Sequence, residues 1–288
     1  MIRLAVLDQA VQELNWLFRE SAPQEQGAFC LLREGRGVVG SRLLAPRVIL
    51  PPKDAWERRG VGHLRPTAQW ISAAISCAVQ NRSGLLFVHS HPDPGYPLGL
   101  SSLDMESFET LATHLSTTMD GPFAAVVVHP RGWAGVVWSG GRVVPIDRIF
   151  GVGRNLQFLS PISVQPDVDA IDQRQKSALG IVHDRIRRIG LAVVGCGGTG
   201  SPSAEQAVRM GVADLTIIDK GRLDTPSNVR RVFGSRRSDL QTATPSLKVN
   251  IVGRHLEELQ LGTRINQVAG DVTQEQVFRH LLDSDVVI

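Results

Sequence analysis

A glycine-rich turn between an apolar run and a helix-compatible stretch limits the folds open to the second half of this 288-residue chain. The turn follows residues 191–194 and contains four glycines: Gly195, Gly197, Gly198 and Gly200. Glycines permit a tight turn and let backbone N–H groups approach an anion at the N-terminus of the next helix. A second apolar run ends at Asp219, where nucleotide-binding βαβ units place an acidic residue against a ribose. The pattern predicts a Rossmann-like, parallel-sheet α/β domain that binds a nucleotide.

The glycine pattern alone does not identify the nucleotide. Many dinucleotide-binding dehydrogenases satisfy it. An NAD-dependent oxidoreductase that uses the glycine turn and Asp219 is therefore an alternative, although no substrate domain for hydride transfer is recognisable.

The residues after Asp219 resemble those of the ThiF-like adenylating enzymes, which activate ubiquitin-like and sulfur-carrier proteins. The resemblance covers about residues 172–288. It implies that the four glycines and Asp219 hold ATP, with Mg²⁺ in the complete domain. It also implies that Asn228 and Arg231 contact the phosphates and that Lys248 joins them.

Other positions extend or limit this resemblance. Arg174 resembles an arginine that such enzymes extend to the nucleotide of a partner subunit, which would fit a homodimer. Gly221 stands where the family often has a second acidic residue. Residues 286–288 read as a buried parallel strand, and the family's magnesium-binding Asp and any catalytic Cys would follow it. We therefore expect the adenylating domain to be incomplete at its C-terminus.

Polar residues in the first half of the chain have the spacing of a metal site. His89 and His91 follow the apolar run 84–88, and residues i and i+2 of a strand point to one face, so both imidazoles can reach one ion. Asp104 follows a turn rich in proline and glycine and begins a helix-like segment, so the turn could fold it back over the strand end. Two histidines and one carboxylate leave a coordination position for water, as in catalytic zinc sites.

Together with Ser101 and with Glu25 in a Pro-x-Glu-x-Gly segment, these residues resemble the JAMM/MPN metallopeptidases. The family signature is a distant Glu, then His-x-His-Pro, then Ser-x-x-Asp. The resemblance implies a mixed α/β, MPN-like hydrolase domain with Zn²⁺ on His89, His91 and Asp104. Glu25 would be the general acid/base and Ser101 the donor to the oxyanion. The interval from His91 to Asp104 is two residues longer than the usual spacing.

The implied substrate is a peptide or isopeptide bond after the Gly-Gly tail of a ubiquitin-like or sulfur-carrier protein. Two other interpretations stay open. Ser101 and Asp104 also fit a helix N-terminus, because serine caps well and aspartate suits the positive end of the helix dipole. The domain could also be a non-catalytic MPN scaffold, although the joint presence of all five signature residues favours an enzyme.

Composition argues against several other classes. The net charge of +3 comes without a basic patch, so we expect no nucleic-acid partner. Three scattered cysteines, Cys30, Cys77 and Cys196, are too few for a disulfide framework and suit a reducing cytoplasm. No apolar run approaches the roughly 18 residues of a membrane span, so neither a signal peptide nor membrane association is expected.

We expect two domains, since the chain is long enough for two cores. Residues 1–150 would form the MPN-like metallopeptidase domain, 151–171 the linker and 172–288 the ThiF-like domain, with residues 160–167 as the most turn-rich part of the linker. Within the first domain, the spacing predicts a helix starting near residues 65–67 and strands at 124–128 and 135–138. The two activities would then act on the same C-terminal tail.

Overall fold

A computed structural model describes residues 1–161, 170–241 and 244–288. The chain divides into two compact units, one of Met1–Arg36 and Gly40–Pro161, the other of Gly37–Val39 and Ile162–Ile288. Residues 162–169 of the predicted linker lie outside the described ranges. Among the described residues, no helix is both long and apolar enough to cross a bilayer.

The first unit combines one large mixed sheet with three helices. Its strands are β1 Ile2–Leu7, β2 Gly27–Arg36, β3 Ser41–Ile49, β4 Trp56–Gly60, β5 His63–Pro66, β6 Gly84–Ser90, β7 Phe123–His129, β8 Gly132–Ser139, β9 Arg142–Pro145, β10 Arg148–Val152 and β11 Leu156–Phe158. Its helices are α1 Asp8–Ser21, α2 Ala68–Gln80 and α3 Ser102–Leu115. Nine strands form the sheet in the order β11-β10-β1-β3-β2-β6-β7-β8-β9, while β4 and β5 form a separate hairpin.

Both faces of this sheet are covered. Along β2, Ala28, Cys30 and Leu32 pack in the core that contains α1. The alternate residues Phe29 and Leu31 pack in a second core with α2 and α3. Successive side chains of a strand point to opposite faces, so a strand that is covered on both sides is a continuous apolar run. The sheet therefore separates α1 from the two helices that border the candidate metal ligands.

The predicted elements of this unit are confirmed. Helix α2 begins after Thr67, whose side chain accepts the Trp70 N–H at 3.3 Å. Strands β7 and β8 contain the predicted strand residues and pair with each other. The sheet, however, continues past the predicted domain end at residue 150, since β10 pairs with β1 and β11 pairs with β10. Gly151 and Val152 at the start of the predicted linker therefore pair within this sheet, with Val6 and Leu7 on one side and with Gln157 and Leu156 on the other.

The second unit is a parallel sheet with helices. Its helices are α4 Gln173–Leu179, α5 Ile181–Ile186, α6 Gly200–Arg209, α7 Lys248–Glu258 and α8 Glu275–Leu282, and its strands are β12 Gly190–Val194, β13 Asp214–Asp219, β14 Arg264–Ala269 and β15 Val286–Val287. The strands are parallel and their order is β14-β13-β12-β15. This is the 3-2-1-4 order of one Rossmann-like half with its neighbour. The predicted parallel-sheet α/β class is confirmed.

The strand at residues 286–288 differs from its prediction in one respect. Val286 and Val287 pair in parallel with β12, as expected. Val287 and Ile288 are nevertheless 47% and 55% exposed. β15 lies at the edge of the described sheet and has β12 as its one neighbour there, so it is covered less than β12 and β13.

Candidate metal centre and glycine-rich loop

The two histidines lie at the carboxyl end of an inner strand. β6 lies between β2 and β7, and His89 and His91 are 2% and 5% exposed. Their Nε2 atoms are 3.2 Å apart, because residues i and i+2 share a face of the strand. The chain just after β6 is fixed to the neighbouring strand β7, because the His91 N–H donates to the Val128 carbonyl at 2.9 Å.

Asp104 reaches the histidines from the first turn of α3. Its Oδ2 atom is 3.5 Å from Nε2 of both His89 and His91. Burial by itself would raise the pKa of Asp104, but hydrogen bonds with the two imidazoles outweigh it and hold that pKa well below its usual range. The three side chains form a group whose ligand atoms all lie within 4.8 Å of one another.

These separations fit one zinc ion. Tetrahedral coordination with bonds of about 2.0–2.1 Å places ligand atoms about 3.3 Å apart. The observed separations of 3.2 and 3.5 Å match that value. Two imidazole nitrogens and one carboxylate oxygen are also the donor set of a catalytic zinc site, which keeps a fourth position open.

Ser101 has the capping role that the sequence left as an alternative. Its side chain accepts the Asp104 N–H at 3.2 Å, and Asp104 accepts the Ser101 N–H at 2.8 Å, which completes a capping box. The Ser101 hydroxyl also donates to Asp104 Oδ2 at 2.7 Å. The hydroxyl proton of Ser101 is therefore donated to the carboxylate of a candidate metal ligand. Donation to a substrate oxyanion would require this hydrogen bond to break.

Glu25 is held beside this group by its main chain. Its N–H donates to the Gly60 carbonyl at 2.9 Å, and its own carbonyl accepts from Arg59 Nε at 3.1 Å. Two residues on, Gly27 pairs with His89 across β2 and β6. The Glu25 side chain is buried, and burial raises the pKa of its carboxyl by more than His91 and His89 lower it. A carboxyl with a raised pKa holds a proton more readily than an ordinary glutamate, as a general acid/base that returns a proton requires.

The β4–β5 hairpin that clamps Glu25 was not predicted from the sequence. Its strands are short, with four or five residues each, and carry Arg58, Arg59 and Arg65. The only sequence signal was the turn at Val61 and Gly62, where Gly62 has a φ of +78° that favours glycine.

A cleft of about 990 Å³ opens in front of the candidate metal ligands. Glu25, His89, His91 and Asp104 all line it. Tyr96 forms one side, with its ring 5.7 Å from that of His91, and its carbonyl accepts a hydrogen bond from Arg131 Nη2 at 3.0 Å. The proline- and glycine-rich loop between His91 and Ser101 is thus tied to the end of β7.

The glycine-rich loop of the second unit lies between β12 and α6. Gly195 has a φ of +103°, a conformation that other residues rarely adopt. A Cβ on Gly200 would lie 1.7 Å from the Gly195 carbonyl oxygen, so the loop closes on itself only with glycine there. A Cβ on Gly197 would meet no described atom within 4 Å. The loop is therefore tight at its base and open at Gly197.

Asp219 ends β13 directly beside this loop. Its Oδ2 atom accepts the Cys196 N–H at 2.6 Å, and its Oδ1 atom accepts the Gly221 N–H at 2.5 Å. Burial, together with the charge of Asp219, raises the pKa of the Cys196 thiol to about 12. The loop cysteine is therefore a neutral, buried side chain and not a thiolate nucleophile.

The predicted phosphate contacts lie around the same loop. The Arg231 Nη2 atom donates to Asn228 Oδ1 at 2.7 Å, and Arg231 Cβ lies 3.4 Å from the position of a Cβ on Gly198. Lys248 begins α7, and its Nζ lies 3.1 Å from the position of a Cβ on Gly221. Asn228 is buried, while Arg231 is exposed.

Arg174, which resembles an arginine that reaches a partner's nucleotide, is exposed on α4. No described contact joins it to the loop of its own chain. Its role stays a prediction.

Comparison with known proteins supports the predicted ThiF-like character of the second unit. Residues 171–288 match the ThiF family, and these residues are a ThiF family domain. The match covers less than half of the chain and does not extend to residues 1–170. Among curated proteins, no sequence matches the chain.

Solved structures give partial similarities of low identity. They include MccB from E. coli with ATP, at 15% identity over 42% of this chain and 37% of that chain, with a TM-score of 0.36. They also include the E. coli tRNA N6-threonylcarbamoyladenosine dehydratase TcdA in complex with AMP, at 24% identity over 43% of this chain and 50% of that chain, with a TM-score of 0.37. The chain thus spans half or less of the length of these two proteins.

Proposed function

We propose that the first unit is a zinc-dependent peptidase of the JAMM/MPN type. The observation that carries the proposal is the convergence of His89, His91 and Asp104 at ligand spacing, with the buried carboxyl of Glu25 lining the same cleft. A structural zinc site has four protein ligands, whereas a catalytic site has three and an open position. The group of three therefore favours catalysis over a purely structural role.

Each residue of the proposed peptidase site would have a separate role in the reaction. A zinc ion bound there would polarise the substrate carbonyl and lower the pKa of a bound water to about 7. Glu25 would take the proton of the attacking water and return it to the leaving amine. The raised pKa of Glu25 favours this role, because its carboxyl binds the proton of water more strongly than an ordinary glutamate does. Ser101 would orient Asp104 through the 2.7 Å hydrogen bond.

We propose that the substrate is the C-terminal tail of a ubiquitin-like or sulfur-carrier protein. This step rests on the family resemblance and on the ThiF family match of residues 171–288. A cleft with a tightly anchored wall at Tyr96 is a suitable place for an extended tail to lie.

For the second unit we propose ATP binding and adenylation of such a tail. The open backbone at Gly197 and the position of Arg231 over Gly198 support an anion site at the N-terminus of α6, while the carboxylate of Asp219 at the end of β13 would accept a hydrogen bond from the ribose. Residues 172–288 would form this domain. Peptidase and adenylating domain would act on one carboxyl terminus, the first by releasing it and the second by activating it.

Zinc analysis and cleavage assays test the peptidase. The purified chain should hold about one zinc, and it should cleave a reporter peptide fused after the Gly-Gly tail of a folded ubiquitin-like protein while leaving casein intact. His91→Ala should lose both zinc and cleavage. Glu25→Gln should keep zinc and lose cleavage, since a general base does not hold the metal. An unmodified chain that binds zinc but cleaves no tail would indicate a scaffold.

Nucleotide competition tests the second unit. ATP should displace a fluorescent adenine nucleotide from the chain at lower concentration than NAD does. Preference for NAD would favour an oxidoreductase and contradict the adenylating assignment.

A further inference from the structure

We propose that the cleft beside His89 binds a large apolar side chain of the substrate, of leucine or phenylalanine size, close to the bond that is cleaved. The inference rests on the proposed peptidase function and adds a substrate preference to it. A Gly-Gly tail does not provide such a side chain, so in the proposed substrate it would belong to the residue that follows the tail. Casein offers such side chains without the tail and would still be left intact.

The cleft presents apolar side chains that folding alone leaves partly exposed. They come from the β4–β5 hairpin, α2, β6, and α3 with the loop before it: Leu64, Ile71, Phe87, Leu100, Leu103 and Leu111. Leu103 is 66% exposed although it directly precedes the ligand Asp104. Several apolar side chains around one cleft are the usual lining of a ligand-binding site, whereas single exposed leucines scattered over a surface do not indicate one.

This apolar wall reaches the metal-site residues themselves. The Phe87 ring stacks on the His89 ring, with centroids 5.4 Å apart and planes at 21°. Atoms of Leu64 and Phe87 both lie 3.0 Å from the position of a Cβ on Gly27, two residues from Glu25. An extended peptide advances about 3.3 Å per residue. A substrate side chain on this wall therefore belongs to a residue at or next to the scissile bond.

Apart from Glu25 and Asp104 of the candidate site, the charged residues that line the cleft do not offer a competing preference of one sign. Arg65 Nε and Glu57 Oε2 form an ion pair at 3.0 Å, so these two charges largely satisfy each other. Glu106 and Arg58 add one charge of each sign to the lining. At about 990 Å³, the cleft is at the upper end of the range for binding sites of small molecules, far more than two glycines fill.

The test measures equilibrium binding, so that it does not depend on turnover. The protein is the full chain with Glu25→Gln, in excess zinc. The probes are blocked, dye-labelled octaglycine peptides in which one leucine or phenylalanine is moved through successive positions. Burying such a side chain corresponds to roughly ten- to a hundredfold in affinity. At one or two adjacent positions, the substituted peptide should bind at least tenfold more tightly than octaglycine.

Two variants on α2 locate the effect. Ile71→Ala removes a lining side chain and should reduce the ratio of the two affinities by about three- to tenfold. Val79→Ala is the matched control, because Val79 is 47% exposed on the same helix and does not line the cleft. A ratio measured on one protein sample does not depend on the fraction that is folded.

The proposal is overturned if octaglycine binds within twofold of every substituted peptide, if no peptide binds, or if Ile71→Ala and Val79→Ala change the ratio equally. Cleavage by the unmodified chain is scored separately and decides the peptidase function. If substituted peptides bind preferentially but the unmodified chain cleaves no tail, the proposed apolar pocket is supported and the proposed peptidase function is refuted.

Discussion

The Ser101 hydroxyl donates to Asp104 Oδ2 at 2.7 Å, and that same oxygen lies 3.5 Å from the Nε2 atoms of both histidines. The serine thus supports a proposed metal ligand. We expect Ser101→Ala to weaken zinc binding by about 10–100-fold, the usual effect of losing a partner that orients a ligand. Ser101→Thr keeps a hydroxyl and should stay close to the unmodified protein. Competition with a zinc chelator measures both. Unchanged zinc affinity in Ser101→Ala, with a lower kcat, would instead favour the oxyanion role.

The buried carboxyl of Glu25 predicts a pH-dependent stability of the zinc-free protein. Its pKa is raised in the folded state, so below its unfolded pKa the group is protonated in both states and has no effect. As the pH rises through the folded pKa, the ionised form disfavours folding. Glu25→Gln should therefore raise the melting temperature of the first unit at pH 7 in EDTA and leave it unchanged near pH 3. Melting curves of both proteins across this range test it, and an equal difference at both pH values would refute it.

The glycine-rich loop allows folding and nucleotide binding to be separated. Gly197→Ala adds a methyl group into open space, so the melting temperature should change little, while ATP should bind at least tenfold more weakly because the backbone approach is blocked. Gly200→Ala places its Cβ 1.7 Å from the Gly195 carbonyl oxygen and should destabilise the second unit itself. Calorimetry of unfolding and of ATP binding distinguishes the two. If Gly197→Ala binds ATP with unchanged affinity, the phosphates do not bind at this loop.

Two neighbouring arginines test the register of the phosphate contacts. Arg231 lies over Gly198 and is oriented by Asn228, whereas Arg230 does neither in the described contacts. Loss of a charge-assisted hydrogen bond weakens binding by about 1.5–3 kcal/mol, so Arg231→Ala should reduce ATP affinity by roughly tenfold or more. Arg230→Ala serves as the control and should change it less than twofold. Titration with ATP measures the affinity of both variants. The salt concentration is kept fixed, because interactions of surface charges depend on ionic strength. Equal losses would indicate a general charge effect.

Much of the candidate site could be predicted because its signals are local. The apolar run before His89 predicted a strand, the i, i+2 spacing placed both imidazoles on one face, and the turn before Asp104 predicted its return to the strand end. The strand, glycine turn and helix around Gly195 were equally readable. These features depend on periodicity and turn chemistry within short segments.

What the sequence did not reveal depends on distant pairing. The hairpin that holds Glu25 through Gly60 and Arg59 contains short, polar strands without a clear period. The first domain was predicted to end at residue 150, because nothing local indicates that β11, Leu156–Phe158, pairs with β10. The choice between two roles for Ser101 also required coordinates, since one hydroxyl suits either a cap or an oxyanion.

The pairing of Gly27 with His89 determines where this chain can tolerate insertions. An extra residue within β2 or β6 would shift the register by one and turn every following side chain to the other face of the sheet, separating Glu25 from the histidines. Extra residues between His91 and Ser101 would do neither, because α3 is positioned independently by the stacking of Phe108 on Phe123, with centroids 5.0 Å apart. Length variation among related chains is therefore expected in this loop and not in the two strands.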